Sequence, residues 1–322
     1  MAGFGRLEGI GTADAFAIGK ARPETTSAVE LPKPVYAFAL KVKDRKDDVR
    51  LSSALTKIVE EDPALSVETR ADTGEIRLHG QGEMHLRVAI ERLASRFQVD
   101  VETTRPHVAY CETIRMPASA RGRHKKQTGG HGQFGDVAIE VLPLPRGEGF
   151  AFQDQITGGV VPRQYIPSVE TGVRDAIKCG PLGFPVVDLA VRLTDGSYHS
   201  VDSSDAVFQA AARIALAEAL PKAKPVLLEP VLSVEIAVPS DALARATGLV
   251  TARRGQIQGF DARPGWPGWD VLSASIPEAE MGDLIVELRS VTAGVGTFST
   301  RFDHMAELSG RPSEAAMRAS AH

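Results

Sequence analysis

The chain has 322 residues, 24% of them charged, and a formal net charge of −4. That length exceeds one ordinary core and predicts two to four domains, while the slight acidity excludes a globally basic nucleic-acid binder and leaves such contact to local patches. Two cysteines (Cys111 and Cys179), no apolar run of membrane-spanning length and the start MAGFGRLEG, which is no signal peptide, predict a cytoplasmic protein in a reducing compartment with no membrane partner.

Residues 1–30 make no complete unit: a glycine-rich start and the run PETTSAVELPKP read as the tail of a truncated domain and a linker. From 31 to 105 the pattern is clean. PVYAFALKV is a strand opening at Pro34, and residues 46–61 are helical, with Val49, Leu55, Ile58 and Val59 as the apolar stripe before Pro63. LSVETR and EIRLHG are short strands joined by a turn at Asp72-Thr73-Gly74. A second helix places Leu86, Ile90, Leu93 and Phe97 on one stripe, and FQVDVET closes a β-α-β-β-α-β unit with both helices on one face.

Residues 106–224 differ. The stretch RGRHKKQTGGHGQFGDVAIEV contains Gly130, Gly132 and Gly135 at the G-x-G-x-x-G spacing of a dinucleotide loop. That fingerprint needs a strand before it and a helix after it, whose N-terminal N–H groups meet the pyrophosphate. Here a basic run (Arg121, Arg123, His124, Lys125, Lys126) precedes the glycines, and the alternation of Val137, Ile139 and Val141 marks a strand after them. The spacing predicts a loop at the tip of a β-hairpin instead. FAFQDQITGG follows, then a helix in PSVETGVRDAIKCG with Val169, Val173 and Ile177 in register and Gly180 as its stop. FPVVDLAVRLTDGSYHS is a strand leading to a turn at Asp195-Gly196, and an alanine-rich helix begins within Ser203-Ser204-Asp205 and ends at Pro221.

Residues 225–308 repeat the β-α-β-β-α-β order. PVLSVEIAV opens at Pro230, a helix capped by Ser240 carries Leu243, Leu249 and Val250, and Gly255-Gln256-Ile257 starts the next strand. WDVLSASIP, a helix with Met281, Leu284, Leu288 and Val291, and the strand GTFSTRFDH complete it; residues 309–322 are expected to be a disordered tail.

No constellation for bond-breaking chemistry assembles. His79 and His85 flank Glu83 without the H-E-x-x-H spacing, no G-x-S-x-G or cysteine-protease signature is present, and G-x-x-x-x-G-K-[ST] is absent. The expectation is therefore no catalytic residue, no metal and no cofactor in this chain. Two loops stand out. In 125–135, Lys125 and Lys126 supply phosphate attraction, Gln127, Thr128 and Gln133 supply neutral hydrogen bonds, and the glycines permit close backbone approach to RNA. In 195–202, Tyr198 and His199 occupy a strand-to-helix junction. On residue types alone, RNA contact and a solvated charged loop both remain open.

HKKQTGGHGQFGDVAIEVLPL, the run from GGVVPRQYIPSVETG to SSDAVFQAAARIA, KAKPVLLEPVLSVEI with RRGQIQG, EEDPALSVETRADTGEIRLHGQGEMHLRVAIERL and GTFSTRFDH together resemble bacterial translation elongation factor G, in family order from about residue 31 to 306. The resemblance implies an α+β multidomain fold: two ferredoxin-like βαββαβ units, domain III at 31–105 and domain V at 225–308, flanking an elongated α/β domain IV at 106–224. Residues 1–30 would be the remnant of a β-barrel domain II. GTP and Mg would belong to an N-terminal part of a longer GTPase parent, outside this chain.

The resemblance further implies that domain IV reaches the decoding region of the ribosome. Its tip would contact rRNA, tRNA and mRNA through Lys125, Lys126, Gln127, Thr128, Gly129, Gly130, His131, Gly132, Gln133, Ser197, Tyr198 and His199. Domains III and V would relay the nucleotide state near the large-subunit factor site. The implied function is GTP-dependent translocation of tRNA and mRNA. Three departures point to a divergent paralogue: His131 stands where an arginine is usual, Glu280-Met281-Gly282-Asp283-Leu284 lacks the usual aromatic pair, and Val295 precedes Gly296-Thr297-Phe298 where an arginine is common. They keep open ribosome recycling or rescue, and a non-translational interaction module.

Overall fold

The computed structural model describes residues 33–127 and 132–320. The chain divides into two compact units, Met1–Val108 with Leu232–Arg301, and Ala109–Val231 with Phe302–His322. The expected barrel remnant at 1–30 lies outside the described residues. The first unit begins with β1 (Tyr36–Val42), α1 (Asp48–Glu61), β2 (Ser66–Thr69), β3 (Ile76–Gly80), α2 (Glu83–Phe97) and β4 (Val101–Thr104). Its sheet has the order β2-β3-β1-β4 with every pairing antiparallel. Both helices close on one face, where Leu51, Leu55, Ile58, Leu86 and Leu93 meet Leu40 and Leu78. Each such side chain contributes about 1.5–3 kcal/mol by leaving water. The expected stripe of α1 is corrected at its start: Val49 is 81% exposed, and Leu51 and Ala54 take the inward positions.

The chain continues through β5 (Cys111–Ile114), β6 (Ala118–Lys126), β7 (Gln133–Pro143), β8 (Phe150–Asp154), α3 (Ile166–Ala176), β9 (Leu189–Tyr198) and α4 (Asp205–Lys222). The sheet order is β6-β7-β9-β8, antiparallel except for the parallel β8–β9 pair. Val137, Ile139, Val141, Leu189, Val191 and Leu193 alternate inward and meet Phe208, Ala211, Ala215 and Leu216 of α4 and Val169 and Val173 of α3. Small residues let backbones approach here: a Cβ on Gly122 would lie 2.1 Å from the Ala211 carbonyl oxygen, and one on Gly172 would lie 2.5 Å from that of Gln209.

Three expectations change in this unit. Asp195-Gly196 is no turn: β9 runs through both to Tyr198, and glycine is needed because a Cβ at 196 would stand 2.5 Å from the Asp136 carbonyl oxygen. Helix α3 ends at Ala176, before Gly180. Gly180 instead makes room for the buried Glu112, whose carboxylate accepts from the N–H groups of Leu182 and Phe184. Pro221 sits inside the final turn of α4, which ends one residue later with the Ala223 N–H bonded to Ala219.

The last elements are β10 (Pro225–Pro239), α5 (Leu243–Ala252), β11 (Gln256–Ala262), β12 (Trp269–Pro277), α6 (Leu284–Val291), β13 (Thr297–Leu308) and α7 (Arg311–Ser320). The sheet order β11-β12-β10-β13 repeats the first module's order, and β5 pairs with the start of β10. Val234, Ile236, Val238, Leu272, Ala274 and Ile276 face Ala246, Val250, Leu284 and Leu288. Ser240 does not cap α5 through its side chain but opens a short 3-10 turn, Ser240–Ala242, and Met281 precedes α6. The tail expected to be disordered forms α7, because Ala316 and Met317 find Phe184, Leu227 and Leu308 to cover them.

Within the first unit the two modules touch through charge. The Arg77 side chain, 5% exposed, bonds Glu75 at 3.0 Å, Glu278 at 3.4 Å and the His107 carbonyl. Burial raises the Glu278 carboxyl above its ordinary range despite Arg77. Burial also acts upward on Glu75, but hydrogen bonds from His107 and Arg77 outweigh it and hold the group low. Arg105 bonds Asp283 at 2.8 Å, and Arg289 donates to the Gln81 carbonyl.

Candidate nucleic-acid interface

The β6–β7 hairpin and the end of β9 build the site. Along the hairpin, Arg123 pairs with Asp136, Lys125 with Phe134 and Lys126 with Gln133, so the two lysines fall at the open end beside the glycine loop. Asp136 is fully buried. Its carboxylate accepts from Arg121 Nε at 2.8 Å, Arg123 Nη2 at 2.9 Å and Ser197 Oγ at 3.2 Å. Burial pushes the carboxyl up, and the two arginines outweigh it and hold it below the ordinary range. Arg121 also bonds Asp195 at 3.1 Å. The two arginines of the basic run are thus engaged by Asp136 within the hairpin.

Lys125 and Lys126 are exposed and make no ion pair among the described residues. With Gln127, Gly132, Gln133, Ser197, Tyr198 and His199 they line one cleft of about 400 Å³, joined by Phe134 and Asp202. The structure therefore gathers eight expected residues, while Thr128, Gly129, Gly130 and His131 lie outside the described residues. Not all eight are free to meet a ligand: the Gln133 side chain takes a hydrogen bond with His124 at 3.0 Å, and the Ser197 hydroxyl is held by Asp136.

The junction after β9 is braced from several sides. The Phe134 N–H bonds the Asp202 carbonyl at 2.9 Å, and Ser203 Oγ bonds the Phe134 carbonyl at 2.7 Å while accepting from the His199 N–H at 2.9 Å. His199 Nδ1 lies 3.3 Å from the Asp202 N–H and 3.2 Å from its carboxylate. When Nδ1 accepts from that amide, the ring proton sits on Nε2, a donor suited to phosphate or base oxygens. Gly132 packs on the same loop, since a Cβ there would be 2.9 Å from the Asp202 carboxylate. Charge type and glycine content marked the loop in the sequence. Asp136 and Asp202, which decide which side chains stay free, carried no such mark.

Among the described residues, no group of three or more His, Cys, Asp or Glu side chains is placed to hold a metal ion, and no helix is long and apolar enough to cross a membrane. In this cleft Lys125 and Lys126 can attract phosphate and Tyr198 and His199 can meet a base, with the Asp202 carboxylate beside them.

The fold and this cleft define a multidomain module of two βαββαβ units and a hairpin-tipped α+β unit. The family models "Elongation Factor G, domain III", "Elongation factor G, domain IV" and "Elongation factor G C-terminus" match residues 31–105, 106–224 and 226–316. The chain belongs to the elongation factor G family. It is 50% identical over 308 residues to an "Elongation factor G-like protein" of Synechocystis, covering 96% of this chain and 46% of the relative. It is 45% identical over 288 residues to "Elongation factor G" of Aquifex pyrophilus, covering 89% of this chain and 41% of the relative. A crystal structure from Thermus thermophilus superposes with a TM-score of 0.77 at 39% identity, over 94% of this chain and 45% of that one. The chain thus spans somewhat under half the length of these relatives.

Proposed function

We propose that this chain is the ribosome-contacting part of a translational GTPase that promotes movement of tRNA and mRNA after peptide transfer. The observation that carries the reading is the tip cleft: two hairpin lysines with no ion pair among the described residues share one opening with the braced His199 that follows β9, within a segment matched as domain IV of the family. In this reading the tip meets rRNA, tRNA or mRNA in the decoding region and favours the ribosome state in which the tRNAs have advanced. That is a population shift driven by differential contact. GTP and its Mg ion act in the rest of the parent; this chain's residues break no bond. A cytoplasmic location follows from the same reading.

A toeprint of ribosome position on mRNA, with the full-length parent and GTP on pre-translocation complexes, tests it. A one-codon shift is expected. No shift with intact ribosome-stimulated GTP hydrolysis would instead favour a recycling or rescue paralogue. No ribosome binding at all would indicate an interaction module outside translation.

A further inference from the structure

The loop between β11 and β12 carries an aromatic platform that the tip does not use. Trp266 is 50% exposed, and the Arg263 guanidinium stacks over its ring at 4.1 Å from the centroid. Trp269 meets it edge-on at 5.4 Å. The loop is set by its own backbone: Arg263 N–H bonds the Trp269 carbonyl at 2.8 Å, and the Trp266 N–H returns to Arg263 at 3.1 Å. Gly265 and Gly268, at φ +76° and +79°, supply the left-handed conformations on either side of Trp266-Pro267. A half-exposed indole held this firmly has little rotamer entropy left to lose on binding.

The platform walls a cleft of about 820 Å³, which Lys33 and Glu235 also line. Neither Lys33 nor Arg263 has an ion-pair partner among the described residues. We propose that this cleft binds an unpaired nucleobase of RNA, stacked on Trp266, with Arg263 and Lys33 attracting the flanking phosphates. Stacking on an indole accepts any base, and the cation over the ring adds to it. Glu235 favours a base that offers an amino or imino donor over a bare phosphate. An aromatic cleft for a protein ligand has less need of two cations, neither ion-paired among the described residues, beside one carboxylate. The proposal rests on the translational reading for the source of the RNA, but its chemistry is local to this loop.

Trp266 and Trp269 are the only two tryptophans of the chain, so its intrinsic fluorescence reports this cleft directly. Titration of the whole chain with a short single-stranded oligoadenylate is expected to quench the emission saturably, and less well as salt rises. Trp266→Ala is expected to weaken binding roughly tenfold, with Trp266→Phe keeping most of it. Arg263→Ala, on the same loop, is expected to lower the salt slope by about one. Absence of quenching in the unaltered chain, or binding of equal strength in Trp266→Ala measured by anisotropy of a labelled oligonucleotide, would overturn the stacking site. Quenching by a proline-rich peptide but not by RNA would overturn it too and reassign the platform to a protein partner. The toeprint judges the translational reading separately: oligonucleotide binding can fail while the codon shift persists, and the reverse.

Discussion

Arg123 stands directly opposite Asp136 in the β6–β7 register, its Nη2 2.9 Å from Oδ2 of a carboxylate with no solvent exposure. Arg121 closes on the other oxygen of the same group at 2.8 Å. The pair ties the hairpin that carries the tip, and Asp136→Asn removes the charge both arginines bond. Because the arginines are half-exposed and partly rehydrate, the expected loss is roughly 1–3 kcal/mol, read by thermal unfolding. The pH dependence follows from the direction of the shift. A depressed folded pKa makes the contribution full above the unfolded value of about 3.9, and it is lost as pH falls through the lower folded value. The difference between parent and Asp136→Asn is therefore expected to shrink on acidification below about pH 4. A difference that grows with acid would sink this account.

Two glycines predict opposite signs. A Cβ on Gly122 meets the α4 backbone at 2.1 Å, and neither the sheet nor the helix can yield without repacking, so Gly122→Ala is expected to cost about 1–3 kcal/mol. Gly248 lies inside α5, exposed between half-buried neighbours, with nothing within 4 Å of an added Cβ. Gly248→Ala there removes only backbone freedom from the unfolded chain and is expected to stabilise by about 0.5–1 kcal/mol. Urea midpoints at constant m-value check both.

The two β-α-β-β-α-β modules were legible because their helices and strands keep one apolar period long enough to declare itself, as in Leu86, Ile90 and Leu93 or Val234, Ile236 and Val238. Short or sparse elements were not. The strand Cys111–Ile114 has four residues, and α7 shows only Ala316 and Met317 to the core, so neither stands out from a loop. The site was half legible. Lysines beside glycines marked the tip, but Asp136 is 13 residues from Arg123 along the chain, and only hairpin pairing brings them together. For that reason the sequence did not show that Arg121 and Arg123 are ion-paired while Lys125 and Lys126 make no ion pair among the described residues. The Trp266–Arg263 stack was equally silent, since a three-residue spacing in a loop has no preferred face until the two flanking glycines adopt positive φ.

Arg77 links Glu75, Glu278 and the His107 carbonyl while almost fully buried. Arg77→Met leaves Glu278 without its bonded cation and Glu75 still holding its His107 hydrogen bonds, and removing one partner from a buried network costs roughly 3 kcal/mol. The sign with pH is set by the carboxylates. The Glu278 group already has a raised folded pKa, so its contribution is full below the unfolded value of about 4.3 and is lost as pH rises through the folded one. Losing Arg77 lifts Glu278 further and lets Glu75 rise from its depressed range, so the deficit is expected to be largest near neutrality and smaller toward about pH 4.5. Melting temperatures of parent and variant across that range decide it; a pH-independent deficit would mean Arg77 acts only by packing.

Among the described residues Lys125 and Lys126 carry the hairpin's unpaired lysine and arginine charge, because Arg121 and Arg123 are held by Asp136. In the full-length parent, replacing both by alanine is expected to weaken ribosome association and reduce the slope of log affinity against log salt by roughly one to two, as fewer counterions are released. His199 acts differently. Its ring is held at Nδ1 by Asp202, so its contribution lies in a directed contact from Nε2 rather than in net charge. His199→Ala is therefore expected to slow the toeprint shift more than it weakens binding, with the salt slope unchanged. Equal losses of rate and affinity would reduce His199 to a structural brace. An unaltered salt slope in the double lysine variant would remove the lysines from the RNA contact and leave the glycine backbone as what the tip offers.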